Sequence, residues 1–124
     1  MPQVAPSSVA VSEGRDRGAG TVLAVTLTGV VLGVTLAALV LGSAVVASHR
    51  ARLASDLAAL AGASQAQLGV GAGQACAEAG RVAASNGATL SWCSVDGQEV
   101  LLVVSVPAGL TGLATARSRA GPPR

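Results

Sequence analysis

The dominant feature of the hydropathy pattern is a run of 30 uncharged residues, 19–48, made mostly of valine, leucine and alanine. About 20 apolar residues in a helix cross the hydrocarbon core of a bilayer, so this run is long enough to span one. The apolar region of a secretory signal is shorter, about 7–15 residues, which disfavours a simple cleaved signal peptide. The pattern therefore predicts a single-pass membrane helix over residues 19–48.

A helical period continues after this run. Leu53, Leu57 and Leu60 follow one another at i, i+4 and i+7, with alanines beside them. We therefore expect the membrane helix to continue to about residue 67 as an amphipathic stem, with these leucines on its apolar face. Arg52 and Asp56 are four residues apart, a spacing that favours an ion pair on the outer face.

The rest of the pattern predicts a second helix and a hairpin. Residues 74–86 show a narrow apolar face and end at Asn86-Gly87, a typical helix stop. Two β-rich runs then flank Asp96-Gly97, which predicts a hairpin with a type I′ turn, and Pro107 ends the second run.

Alternation along the first of these strands predicts which side chains share a face. Leu90 and Trp92 are expected on one face, and Cys93 with Val95 on the other. The next strand, from residue 100 to 104, is almost entirely apolar, which is typical of a strand covered on both faces.

These elements predict an α+β fold with a long N-terminal transmembrane helix continuing as a stem, a second helix and a C-terminal β-hairpin. The expected organisation is a disordered leader over 1–18, the transmembrane helix over 19–48 and a small extracytoplasmic head over 49–106. Residues 107–124 contain glycine, proline and three arginines, and we expect them to form a disordered basic tail.

Composition limits the function classes. Charged residues make up 11% of the chain, against about a quarter in soluble domains, and the net charge of +2 is too small to indicate nucleic-acid binding.

Cys76 and Cys93 are most simply explained as a disulfide outside the cytoplasm, which would contribute about 3 kcal/mol to stability by loop closure. Two buried free thiols are the alternative.

The residues of a catalytic or metal site do not come together in the sequence. His49 is the only histidine and adjoins the apolar run, where an interfacial role at the helix exit is the simpler explanation. A zinc site of His49, Cys76 and Cys93 would lack a fourth ligand and the usual spacing. We therefore expect no enzyme activity, no catalytic residues, no metal and no cofactor.

Small residues on the apolar helix suggest a packing face. Gly29 and Gly33 form a GxxxG motif and Ala37 extends it by one turn, which lets two helix backbones approach closely. The alternative is ordinary composition, because glycine and alanine are common in membrane helices.

The orientation of the helix in the membrane is not decided by its flanking charges. Two arginines precede the span and two follow it, so the positive-inside rule favours neither orientation. The expected disulfide favours a cytoplasmic N-terminus and an extracytoplasmic head.

Three stretches resemble a known family. Arg17-Gly18-Ala19 before a long apolar helix is similar to the prepilin-peptidase site of type IV-like pilins. The sequence RARLASDLAALAGA at 50–63 resembles the stretch after the membrane helix in TadE/TadG-like proteins of tight-adherence (Flp) pilus systems. Residues 75–106 look like the head of small actinobacterial TadE-like proteins.

This resemblance implies a membrane-held minor pilin or pseudopilin that serves a pilus or secretion assembly. Its partners would be assembly subunits, met through the transmembrane helix, and a prepilin peptidase that cuts between Gly18 and Ala19. Pilins usually carry glutamate at the fifth mature position, where this chain has Leu23. That departure argues against processing and against incorporation into a filament by the usual pairing, and it fits a variant that stays anchored in the membrane.

A rival from another class is a small secreted or signal-anchored extracytoplasmic binding protein with a cleavable N-terminal signal. Signal peptidase could cut after Val45-Val46-Ala47 or after Val46-Ala47-Ser48, since both carry suitable small residues. The long apolar region and the helix that continues through these sites argue against it. An enzyme is the third and weakest candidate.

Overall fold

The computed structural model describes the backbone of residues 4–123 and the side chains of residues 18–123. Helix α1 spans Val4–Gln67 and helix α2 spans Ala72–Ser85. Three strands follow, β1 at Thr89–Asp96, β2 at Glu99–Pro107 and β3 at Leu113–Ala120, with a short 3-10 turn at Gly109–Thr111 between the last two. The α+β class is confirmed. The predicted disordered leader lies outside the fully described residues, apart from Gly18.

The chain divides into two compact units, Met1–Leu39 and Val40–Arg124. The described part of the first is helical from Val4, and its large side chains from Val22 to Leu39 are more than half exposed. A window of 18 residues in the described part of α1 has a mean hydropathy of 2.5 and is only 6% buried. By length and composition, α1 could therefore cross a membrane near the N-terminus.

The second unit, which we call the head, packs the last turns of α1 and helix α2 against a sheet. Its core consists mainly of alanines from both helices, against which β2 places its inward side chains. The largest fully buried side chains come from this strand: Val100, Leu102 and Val104. A Cβ added at Gly62 would lie 3.3 Å from both the carbonyl oxygen of Ala75 and the Cγ1 of Val100. Small residues therefore allow α1, α2 and β2 to approach closely.

The leucine face predicted for the stem is wrong. Leu53, Leu57 and Leu60 are 58%, 39% and 59% exposed, whereas Ala54 and Ala58 are completely buried. The close approach of α2 and the sheet leaves room on the inner face of α1 only for glycine, alanine and serine. The leucines consequently lie on the outer face, where the sequence pattern placed only charged residues.

The predicted disordered tail is also wrong over most of its length. Residues 113–120 form β3, which pairs antiparallel with β2 from Val100 opposite Ala120 to Pro107 opposite Leu113. Backbone hydrogen bonds to β2 hold this strand, and its short inward side chains fit beside α1. The head therefore extends past residue 106 to the end of β3. It also begins before residue 49, because Ala47 is part of the core at 4% exposure.

The sheet is antiparallel with the order β1-β2-β3, so β2 is central. From Glu99 to Val106 its residues alternate strictly between half-buried outward positions and buried inward positions. The outward residues of β2 are thus half-buried by their neighbours in the sheet, whereas the prediction was for a strand covered on both faces.

The hairpin is confirmed, with a different turn. Asp96 pairs with Glu99, so Gly97 and Gln98 are the two turn residues. Gly97 has a φ of +61°, while every positive φ in the described residues belongs to a glycine. Gln98 therefore has a negative φ, which is the pattern of a type II′ turn with glycine first and not that of type I′.

The faces of β1 also differ from simple alternation. The register shifts between Leu90 and Trp92, which leaves Ser91 as an extra residue in a β-bulge. Leu90 then pairs with Val104 and packs on the core side together with Cys93. Trp92 faces outward at 48% exposure. The predicted grouping of Leu90 with Trp92 is therefore wrong.

The helix ends agree with the sequence. Helix α1 ends at Gln67, and Gly69 follows with a φ of +81°. Helix α2 begins two residues before the predicted start and ends at Ser85, followed by Asn86 and by Gly87 with a φ of +74°. In both places glycine adopts the left-handed conformation that allows the chain to leave the helix.

Candidate functional site

The small-residue face predicted on the apolar helix is open in this structure. A Cβ added at Gly29 or Gly33 would have no atom within 4 Å other than its own helix backbone, and Ala37 is exposed. Beside Gly29 lies a shallow hollow, lined also by Ala24, Val25, Thr28 and Leu32. The geometry leaves space for close approach by another helix, and that pairing stays a prediction.

Hydroxyl groups on this helix are satisfied within it. The Oγ1 atoms of Thr26, Thr28 and Thr35 donate to the carbonyl oxygens of the residues four positions earlier, at 2.7, 2.8 and 2.8 Å. A donor without a partner is costly in hydrocarbon, and these bonds remove that cost. The three threonines are therefore compatible with a lipid environment.

The predicted processing site lies on α1. Gly18 and Ala19 are both exposed, and Leu23 is 60% exposed. A Cβ added at Gly18 would meet no neighbour within 4 Å. The bond between Gly18 and Ala19 therefore lies on an exposed stretch of the helix, and cleavage there stays a prediction.

The two cysteines are joined. Cys76 on α2 and Cys93 on β1 have an S–S distance of 2.01 Å and a Cα–Cα distance of 5.9 Å. Cys93 stands opposite Leu102 in the sheet register, so the bond fastens α2 to the core face of β1. The alternative of two free thiols does not hold in this structure.

A polar cluster that the sequence did not predict connects α1 to β3. The Oγ of Ser118 donates a hydrogen bond to Oδ1 of Asp56 and lies 3.0 Å from the Oγ of Ser55. Ser55 is 1% and Ser118 9% exposed. Asp56 therefore meets Ser118, where the sequence predicted an ion pair with Arg52. No local signal could have found this contact, because 62 residues separate Asp56 from Ser118.

A groove of about 230 Å³ lies next to this cluster. It is lined by Asp56, Ala59, Leu60, Ser118, Arg119 and Ala120. The Ser118 hydroxyl is engaged with Asp56, and Arg119 donates from Nε to Glu99. The hydroxyl of Ser118 and the guanidinium of Arg119 therefore hold β3 in place.

One further ion pair lies on the exposed face of α2. Arg81 donates from Nε to Oε2 of Glu78 at 3.0 Å, one helical turn away. Hydrogen bonding and the charge of Arg81 lower the pKa of Glu78, and Glu78 in turn raises the pKa of Arg81. Arg81 is exposed and Glu78 is half-buried at the surface, so this is a surface pair of small energetic weight.

The residues considered for catalysis or metal binding do not converge. His49 is exposed on α1, whereas Cys76 and Cys93 are held in the disulfide. Within residues 18–123 there is no group of three or more histidine, cysteine or acidic side chains placed to hold a metal ion.

The fold and these surfaces define a small disulfide-linked α+β head carried on a long apolar helix. The sequence matches no protein-family model, and no curated protein or solved structure shows significant similarity to it.

Proposed function

We propose that this chain is a membrane-anchored minor pilin-like or pseudopilin-like subunit of a tight-adherence pilus or a related secretion assembly. The chain crosses the membrane once, with its N-terminus in the cytoplasm and its head outside. The proposal takes the class of assembly from the TadE-like resemblance of residues 15–106. It takes the anchored, structural role from the way the head is built.

The observation that carries the proposal is the position of Ala47. This residue belongs to the uncharged run, yet it is only 4% exposed because it packs in the core of the head. The next turn contributes Ala51, which is completely buried. The helix that would anchor the chain therefore supplies part of the core of the head, an arrangement that suits a subunit held at the membrane surface.

The same observation weighs against the secreted alternative. Cleavage after Ala47 or Ser48 would remove the turns of α1 that begin the head at Val40. Those turns include Ser43, which lies beside Gly109 in the β2–β3 connection. A released fragment would lose this contact and the buried Ala47.

The proposed mechanism is structural. Gly29, Gly33 and Ala37 form the face through which the membrane helix packs against another subunit, since nothing in the described chain fills the space above the two glycines. The disulfide between Cys76 and Cys93 stabilises a head with a small, alanine-rich core outside the cytoplasm. The outward faces of the head remain accessible to other subunits.

The first experiment is intact-mass measurement of the chain in membrane and secreted fractions of the native host. A membrane-bound chain that starts at Ala19 supports the pilin-like role and processing despite Leu23. A membrane-bound chain that starts at Met1 or Pro2 retains the anchor and removes the peptidase from the proposal. A soluble chain that starts near Ser48 or His49 overturns the proposal in favour of the secreted alternative.

A pair of variants identifies the peptidase site. Gly18→Val places a branched side chain at the proposed cleavage position, whereas Gly20→Val makes the same change two residues later. Loss of the Ala19 terminus in the first variant alone assigns the cut to Gly18-Ala19. Equal processing of both variants contradicts that assignment.

A further inference from the structure

Strand β2 runs alongside α1 in the opposite direction over nearly the whole head. At one end, Gly62 lies against Val100, and at the other, Gly109 lies beside Ser43. Nineteen helical residues separate Gly62 from Ser43, about 28 Å at 1.5 Å per residue. Nine residues of extended chain from Val100 to Gly109 cover about 30 Å. The β2–β3 connection therefore lies at the level of Ser43 on the helix.

Ser43 lies inside the uncharged run and not beyond it. Counted from residue 19, directly after Arg17 and Gly18, about 20 residues of helix fill the hydrocarbon core and bring the chain to residue 38. Ser43 follows five residues later, about 7 Å further along a helix axis. The headgroup region occupies roughly the 5–7 Å outside the hydrocarbon on each side. The β2–β3 connection thus coincides with the boundary between lipid and water.

The charges of the head are distributed along the sheet in agreement with this placement. No charged residue occurs from 100 to 116, a stretch that includes the whole β2–β3 connection. Asp96 and Glu99 are at the hairpin turn, the opposite end of the sheet. Glu99 is paired there with Arg119. The sheet is therefore charged at the end distant from Ser43 and uncharged at the near end.

The uncharged end exposes large apolar side chains. Leu110 is 91% exposed and Leu113 is 65% exposed. Leu110 belongs to the short 3-10 turn Gly109–Thr111, and Leu113 is the first residue of β3. The two leucines lie at the same end of the head, and leaving both in water would be unfavourable. Their exposure indicates that an apolar surface covers this end of the head.

We propose that residues 108–113, the membrane loop, insert Leu110 and Leu113 from the bilayer surface through the headgroup region toward the acyl chains. The ligand is the lipid surface, and binding is by apolar insertion because the loop carries no charge to select anionic lipid. The proposal rests on the proposed membrane span of α1. The loop would give the head a second attachment to the membrane and fix its orientation there.

The test uses tryptophan as a depth reporter, since Trp92 is the only tryptophan of the chain. Three double variants of the full chain are reconstituted into phosphatidylcholine vesicles with or without brominated acyl chains, which quench tryptophan on contact. They are Trp92→Phe with Leu110→Trp, with Gln98→Trp, and with Val31→Trp, the last on the side of the helix opposite Gly29 and Gly33. The first reports on the loop, the second on the distant hairpin turn and the third on the membrane span.

We expect brominated lipid to remove at least half of the emission of the Leu110→Trp and Val31→Trp variants and to leave that of Gln98→Trp unchanged. Quenching at Val31→Trp without quenching at Leu110→Trp overturns the loop proposal and leaves the span intact. Absence of quenching at both overturns the span as well. Blue-shifted, unquenched emission at Leu110→Trp that depends on protein density assigns the cover to a second copy and also overturns the lipid proposal.

Discussion

The side-chain oxygens of Ser55 on α1 and Ser118 on β3 lie 3.0 Å apart, although 63 residues separate the two serines. Ser118 also donates to Asp56, one residue further along the helix. These bonds attach the last strand to the stem near the C-terminal end of β3. They explain how a segment that looks like a polar tail becomes an ordered part of the sheet.

Loss of this link should weaken the head by a measurable amount. We expect Ser118→Ala to lower the free energy of unfolding by about 1 kcal/mol, the usual net value of a hydrogen bond in proteins. Ser64→Ala is the matched control, because Ser64 is exposed and its Oγ bonds only to the carbonyl of Leu60. Thermal unfolding of the full chain in detergent micelles measures both. Equal stability of the two variants would contradict a role for Ser118 in holding β3.

The disulfide should account for a large share of the stability of the head. Replacing both Cys76 and Cys93 by serine should cost about 3 kcal/mol, because the unfolded chain regains the freedom of the closed loop. A reducing agent should lower the unfolding temperature of the natural chain and have no effect on the double variant. A labelling reagent that finds free thiols in the unreduced, denatured chain would rule out the bond.

Two glycines in the head should respond in opposite ways to added side chains. Gly62→Leu is expected to cost about 1–3 kcal/mol, since a Cβ there already touches Ala75 and Val100 at 3.3 Å. Gly80→Ala should stabilise the head by about 0.5–1 kcal/mol through helix propensity, because its Cβ would meet Leu90 at an ordinary 3.5 Å.

The control for size is Gly42→Leu, at a position with no neighbour within 4 Å. Chemical or thermal unfolding of the three variants in the same micelles gives the comparison. If Gly62→Leu unfolds like Gly42→Leu, the helices and the sheet do not approach as closely as described.

The reversal of the stem faces can be tested with leucine truncations. Leu53→Ala should change the free energy of unfolding by no more than about 0.5 kcal/mol, as is usual for exposed positions. Leu102→Ala should cost about 2–5 kcal/mol, because Leu102 is completely buried in the core. A large loss at Leu53 in micelles would restore the leucine face that the sequence pattern favoured.

The small-residue face of the membrane helix should control association with other subunits. Gly33→Ile fills the space beside the helix backbone and is expected to reduce cross-linking to assembly partners or to other copies in native membranes. Gly20→Ile is the control. Gly20 lies nine residues before Gly29, which is two and a half turns of a helix with 3.6 residues per turn, so it is on the opposite side of the helix. Equal cross-linking of both variants would remove this face from the proposed mechanism.

Local sequence determined much of the secondary structure. The left-handed glycines after both helices and the glycine of the hairpin turn act through the conformation of a few neighbouring residues, so they can be read without the fold. The long apolar run of α1 can be read in the same way. The type of the hairpin turn differed from the prediction, because Gly97 and Gln98 occupy it. The pairing of Cys76 with Cys93 followed from there being only two cysteines.

Tertiary structure decided which surfaces are inside. The closeness of Gly62 to Ala75 and Val100 excludes leucine from the inner face of the stem, and no periodicity along one helix contains that distance. Strand β3 has few large apolar residues and becomes a strand because β2 offers it a paired edge and Asp56 accepts the hydroxyl of Ser118. Such contacts join residues that are distant in the chain. Local sequence therefore determined the helices, the hairpin and the disulfide, whereas packing determined which of their faces are buried.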